Sequence, residues 1–160
     1  MVANADALIE DFHRALVLAG LSPLSSGVEH DILPAPHRPV ALPTGKCAVY
    51  VFSLAASYGR RCPAGEDRVL KVGRIGPNSQ PRFQYQHYKR RAARSTLAKS
   101  LVQTKIVWPY LGVKRLKDVG RWIKANTDRD HFFLDAVDCA ALCDLERYLR
   151  ARLGPVFEGG

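Results

Sequence analysis

The 160-residue chain has no apolar run near the roughly 20 residues a bilayer-spanning helix requires, which argues against a membrane protein. Its start, Met1-Val2-Ala3-Asn4-Ala5-Asp6, lacks the positive segment and apolar stretch of a secretory signal. The cytoplasm is therefore the expected compartment. Internal repeats and low-complexity segments are also missing. Four cysteines are present, but no CxxC pair: Cys47 and Cys62 stand apart, Cys139 and Cys143 are spaced i,i+4, and no histidine clusters with them. Zinc is not expected from that spacing, nor disulfides in a reducing cytosol. The expectation is small buried thiols.

What is present in excess is positive charge, and it is unevenly spread. The 24 Lys+Arg outnumber the 15 Asp+Glu, giving a net charge of +9. Residues 1–45 carry five acids and two bases, and 125–160 carry seven acids and four bases. Residues 82–124 hold twelve bases against the single acid Asp118. Among those bases lie Phe83, Tyr85, Tyr88, Trp108, Tyr110 and Trp122. A concentrated positive field with aromatics suits a polyphosphate backbone, because each neutralised phosphate releases counterions. The alternative is a solvated basic face that aids solubility.

At 47% hydrophobic and 24% charged, the chain has the make-up of a globular domain with a real core. Leu8, Ile9, Phe12, Ala15, Leu16 and Ala19 predict an amphipathic helix over 5–19, stopped by Gly20. Five prolines between Ser22 and Gly45 predict a long connection with room for one short extended piece. Residues 48–54 read as a strand covered on both faces. Residues 57–67 read as a loop and 68–73 as a second strand antiparallel to the first. Helices are expected from Pro81 (capped by Asn78 or Ser79), over 96–103 with Ser95 as cap, and over 115–125. A short strand at 131–134 precedes a helix over 139–153, capped by Asp138 and stopped by Gly154-Pro155. The expected fold is α/β: a small three-stranded sheet flanked by helices, with residues 1–45 as an N-terminal helix and Pro-rich connection and 46–160 as the principal domain.

Three residues break the apolar pattern. At roughly 100° per residue, Glu146 falls on the stripe shared by Cys139, Leu142, Leu145, Leu149 and Leu153. A carboxylate there must be paired, reach water at an edge, or hold a cation. Tyr50 interrupts an apolar strand, so its hydroxyl needs a partner, which backbone or water could supply. Lys71 shares a strand face with Val69 and Gly73, an odd place for an ammonium unless that face meets an anion.

Ala48-Val49-Tyr50, then Lys71-Val72-Gly73, Arg82 and Glu146, in that order, resemble the GIY-YIG nuclease superfamily over about residues 46–158. Lys71 stands in place of the second motif tyrosine, as in KIG-type members. Glu158 stands where an asparagine is common. Gln86 stands where a histidine often follows the arginine, leaving His87 or Tyr85 to cover that role.

The resemblance implies a metal-dependent endonuclease hydrolysing phosphodiester bonds in DNA, with RNA as a further possible substrate. Glu146 would be the protein ligand for Mg²⁺ or Mn²⁺, consistent with magnesium's need for few carboxylates. Arg82 would clamp a phosphate oxygen, and Lys71 would supply charge beside it. Tyr50 would accept or orient the proton of the attacking water, provided neighbouring cations lower its pKa. His87 is the alternative base. Arg74, Tyr85, Lys89, Arg90, Arg91, Arg94 and Lys99 would contact nucleic acid. Two other readings stay open: a catalytically degenerate nucleic-acid-binding module on the same fold, and a protein–protein interaction domain.

Overall fold

Between Lys46 and Leu54 every residue after the first is buried, and such a strand needs cover on both faces. A computed structural model of the chain, describing residues 2, 4–58, 69–89 and 96–157, provides that cover. The strands are β1 (Glu29–Leu33), β2 (Lys46–Leu54), β3 (Val69–Ile75) and β4 (Thr127–Asp135). They form one antiparallel sheet in the order β1-β4-β2-β3. The helices are α1 (Ala5–Leu18), α2 (Gln80–Gln84), α3 (Leu97–Gln103), α4 (Trp108–Leu111), α5 (Val119–Asn126) and α6 (Leu142–Leu153).

The α/β class is as expected, but the sheet has four strands rather than three. The added strand, β1, lies inside the Pro-rich connection. It is a five-residue edge strand with Glu29 and Asp31 exposed, so it carries little hydrophobic signal. β4 is also longer than the predicted 131–134. Its carboxylates are buried because distant groups meet them: Asp130 accepts from Val2 N at 3.0 Å and lies 3.0 Å from His30 Nε2, and Asp128 accepts from Ala35 N at 2.9 Å.

Strand alternation splits the core in two. Val49, Val51, Val72, Phe132 and Leu134 pack with Phe12 and Leu16 of α1 and Leu142, Leu145 and Leu149 of α6. On the opposite face Ala48, Tyr50, Phe52, Leu70 and Phe133 pack with Phe83, Leu97, Leu101, Val119 and Ile123. Thr96 caps α3, its hydroxyl accepting from Lys99 N at 3.2 Å; Ser95 lies outside the described residues. Asp138 does not cap α6. Its carboxylate accepts from Ser25 N at 3.0 Å and Ser26 N at 3.2 Å, and a 3-10 stretch, Ala136–Ala141, intervenes.

The cysteine expectation is corrected as well. Cys47 and Cys139 form a disulfide that ties β2 to the turn before α6. Their Cα atoms are 6.3 Å apart across a sequence separation of 92, a proximity that spacing alone does not reveal. Cys143 is a free thiol, and Cys62 lies outside the described residues.

Candidate functional site

Tyr50 and Gly73 are cross-strand partners on β2 and β3. The fully buried Tyr50 phenol lies over the glycine: a Cβ built at Gly73 would fall 2.6 Å from Tyr50 Cζ and nearer still to the hydroxyl. Gly73 is thus the residue that gives the tyrosine its room. Lys71, paired with Phe52, sits on the same sheet face and is only 1% exposed. Its ammonium donates to Ser100 Oγ on α3 at 3.2 Å. Burial pulls the Lys71 pKa down to about 8, with Arg150 and Arg82 pushing the same way and Glu146 opposing. The group is still charged at neutral pH.

Glu146 comes from α6, whose leucines pack on the other sheet face, and it acts on Lys71 and Tyr50 through charge. Its Oε2 accepts from Arg74 Nη1 at 2.6 Å, and its Oε1 lies 3.0 Å from Arg150 Nη2. The glutamate side chain is 9% exposed, those of Arg74 and Arg150 45% and 33%. The ion-pair alternative for this residue is therefore the arrangement present. Arg82, half-buried on α2, acts on the Tyr50 phenol by charge and hydrogen bonding, and its Nε is buried with no hydrogen-bond partner. Four motif residues from β2, β3, α2 and α6 thus act on one another at the β3 side of the sheet.

The lowered pKa that Tyr50 would need as a base is not found. Burial raises it, outweighing Arg82 and Arg129. Tyr50 is a protonated phenol, suited to donating a hydrogen bond rather than taking a proton. His87, in the 3-10 turn Gln86–Tyr88, presents its ring edge-on to Tyr50 with centroids 4.2 Å apart. It is fully buried and neither ring nitrogen has a partner. Burial, reinforced by Arg129, Arg82 and Lys71, holds its pKa well below 6.5, so the imidazole is neutral.

The other predicted contacts divide. Arg74 sits on Glu146. Tyr85 is exposed, with the Lys89 ammonium 6.0 Å above its ring. Lys99 is half-exposed on α3. Arg90, Arg91, Arg94 and Glu158 lie outside the described residues. Of the aromatics among the basic residues, only Tyr85 and Tyr110 are exposed. Phe83 and Trp122 are core, Trp108 Nε1 donates to Leu101 O at 2.7 Å, and the Tyr88 hydroxyl lies 2.9 Å from His37 Nε2. Most of the aromatic interleaving is therefore packing. Lys105, Lys114, Arg115, Lys117 and Arg121 do form exposed positive surface.

Three participants were missed in the sequence. Arg150 stands four residues after Glu146, and the same helical spacing places it on the carboxylate. Ser100 carried no signal. Arg129, fully buried on β4, sets its guanidinium 4.3 Å from the Phe83 ring centre and 5.3 Å from that of Phe52. Strand alternation from His131 would have found it, had the strand been drawn long enough.

For a divalent cation the donor set is sparse. No group of three or more His, Cys, Asp or Glu side chains suited to a metal occurs among the described residues. Glu146 fits as a single-carboxylate ligand of the kind magnesium accepts, on condition that an arginine yields an oxygen. Of the two, Arg74 is the more exposed. No family model, curated protein or solved structure matches this chain.

Proposed function

We propose that the chain is an endonuclease of GIY-YIG type, hydrolysing phosphodiester bonds in DNA with Mg²⁺ or Mn²⁺ and acting in the cytoplasm. One observation carries the reading: among the described residues, Lys71, Arg74, Arg82 and Arg150 gather about a single carboxylate, Glu146, and a buried phenol, Tyr50. Four cations against one anion call for another anion, and phosphate meets guanidinium and ammonium donors well.

In this reading Arg82 donates to a non-bridging phosphate oxygen through its fork, and Lys71 adds charge beside it. Tyr50, held protonated, orients the attacking water by hydrogen bonding. The neutral His87 ring beside it receives the water's proton as the new P–O bond forms, and the opposite P–O bond breaks to release the sugar oxygen, whose charge Lys71 stabilises. An incoming phosphate offsets the cations that depress the His87 pKa and so makes it a better base. Glu146 would hold the metal, which when bound would supply polarisation of the phosphoryl oxygens and a more acidic water. The Cys47–Cys139 disulfide is the one feature that argues against a cytosolic setting.

Plasmid and single-stranded DNA are incubated with the protein in Mg²⁺, Mn²⁺ or EDTA. Cleavage is expected in the metals alone, and Glu146→Gln should lower it by about 100-fold or more. No cleavage of any substrate would overturn the enzyme reading. The pairing of both Glu146 oxygens with arginine favours a second reading, a nucleic-acid-binding module. That module would show salt-sensitive, metal-independent binding that survives Glu146→Ala.

A further inference from the structure

Between the end of α3 and the segment after α6 lies a cavity of about 290 Å³, lined by Ser100, Gln103, Thr104, Val107, Val156 and Phe157. It adjoins the site through one shared side chain. Ser100 lines the cavity, and its Oγ accepts from the Lys71 ammonium. The wall carrying Val156 and Phe157 is tied to the strand bearing Lys71, since those two backbone N–H groups donate to Val69 O and Leu70 O at 3.1 and 2.9 Å.

The walls are of two kinds. Val107, Val156 and the Phe157 ring are apolar; Ser100, Gln103 and Thr104 offer two hydroxyls and a primary amide. None of the six is charged, although the neighbouring site is crowded with cations. Apolar surface from Val107 and Val156 beside uncharged donors and acceptors suits a planar heterocycle that packs by its face and hydrogen-bonds by its edge. A neutral heterocycle one side chain away from a phosphate-seeking ammonium describes a nucleotide. We propose that this cavity receives the base of the nucleotide next to the phosphate held by Lys71 and Arg82, and that Gln103 reads its edge. The inference rests on the nucleic-acid reading above. A primary amide presents a donor and an acceptor together, the pattern that pairs with adenine N6 and N7, so adenine is the preferred base.

Fluorescence anisotropy in EDTA tests binding apart from cleavage. The probes are single-stranded dA, dC, dG and dT 12-mers and an abasic 12-mer. Wild type should prefer dA over the abasic strand by about 10-fold. Gln103→Ala, an exposed position, should level the four bases while leaving abasic binding unchanged. Val156→Trp, which fills the cavity, should bring all four down to the abasic value, with circular dichroism reporting that it folds. Base preference unchanged in Gln103→Ala, or wild-type binding indifferent to bases, overturns the subsite and leaves the nuclease reading standing. Absence of any DNA binding overturns both. Base-dependent binding without cleavage in metal supports the subsite and removes the enzyme.

Discussion

Lys71 gives the most direct test of the site's electrostatics. Its ammonium releases its proton near 10.5 in the unfolded chain and near 8 in the folded one. Between those values the unfolded state binds more protons, so stability rises with pH through the window from about 8 to 10.5. The shift corresponds to about 3 kcal/mol. Arg82 and Arg150, the arginines that act on the ammonium, are partly exposed, and screening trims this to about 2 kcal/mol. Lys71→Met keeps the side chain's length and removes the titration. The unfolding free energy of wild type minus that of the variant should therefore climb by about 2 kcal/mol between pH 7 and pH 10.

Guanidinium denaturation at pH 7, 8, 9 and 10, followed by tryptophan fluorescence, measures the difference directly. Tyr50, Tyr88 and Tyr148, whose pKa values are raised (the last to about 12), lower stability above pH 10, but they do so equally in both proteins and cancel. The lost hydrogen bond to Ser100 shifts the whole curve without tilting it. A difference constant to within about 0.5 kcal/mol across the range would refute the buried, depressed ammonium. Lys71 would then carry no desolvation cost. Under the proposed function, the same titration predicts that phosphate binding weakens as pH rises through 8.

Two further predictions concern packing. Gly73→Ala places a methyl against the Tyr50 phenol and should cost about 1–3 kcal/mol in chemical denaturation, with a changed tyrosine environment in near-ultraviolet circular dichroism; an unaltered spectrum and midpoint would show that the phenol does not lie there. Cys47→Ser opens a closure spanning 92 residues, which chain entropy values at up to about 4–5 kcal/mol. A denaturation midpoint identical to that of oxidised wild type would show that the pair is not bonded in solution.

The residues that could be picked out of the sequence were those that broke a pattern. Tyr50 and Lys71 interrupt apolar strands and Glu146 interrupts an apolar helical stripe, so each announced itself against its neighbours. Arg129 and His131 did not, because Thr127-Asp128-Arg129-Asp130 reads as a polar connection. That stretch is instead the start of a central strand. Its burial depends on Val2 and Ala35, 128 and 93 residues from their aspartates, which local periodicity cannot bring together. β1 was legible only as a short extended piece and not as a strand of the sheet, being short, charged and hemmed by prolines. The aromatics of the basic segment misled by composition: Phe83 and Trp122 serve the core that the basic surface covers.

The distribution of charge also takes on a different meaning. Of the bases of residues 82–124 among the described residues, one, Arg82, belongs to the central cluster. Lys71 and Arg74 come from β3, and Arg150 from α6. Folding neutralises part of that cluster through Glu146 and leaves the remainder as a standing excess that a phosphate would neutralise. Arg129 deepens the excess from beneath, where no carboxylate is among the groups that chiefly set its pKa and the faces of Phe83, Phe52 and Tyr50 take the place of one. Its charge also helps to hold His87 uncharged. A protonated His87 would add a further cation and lose its capacity to accept a proton. The buried arginine thus helps keep the buried histidine neutral, and by the same lowering of its pKa makes it a weaker proton acceptor until an anion offsets the charge.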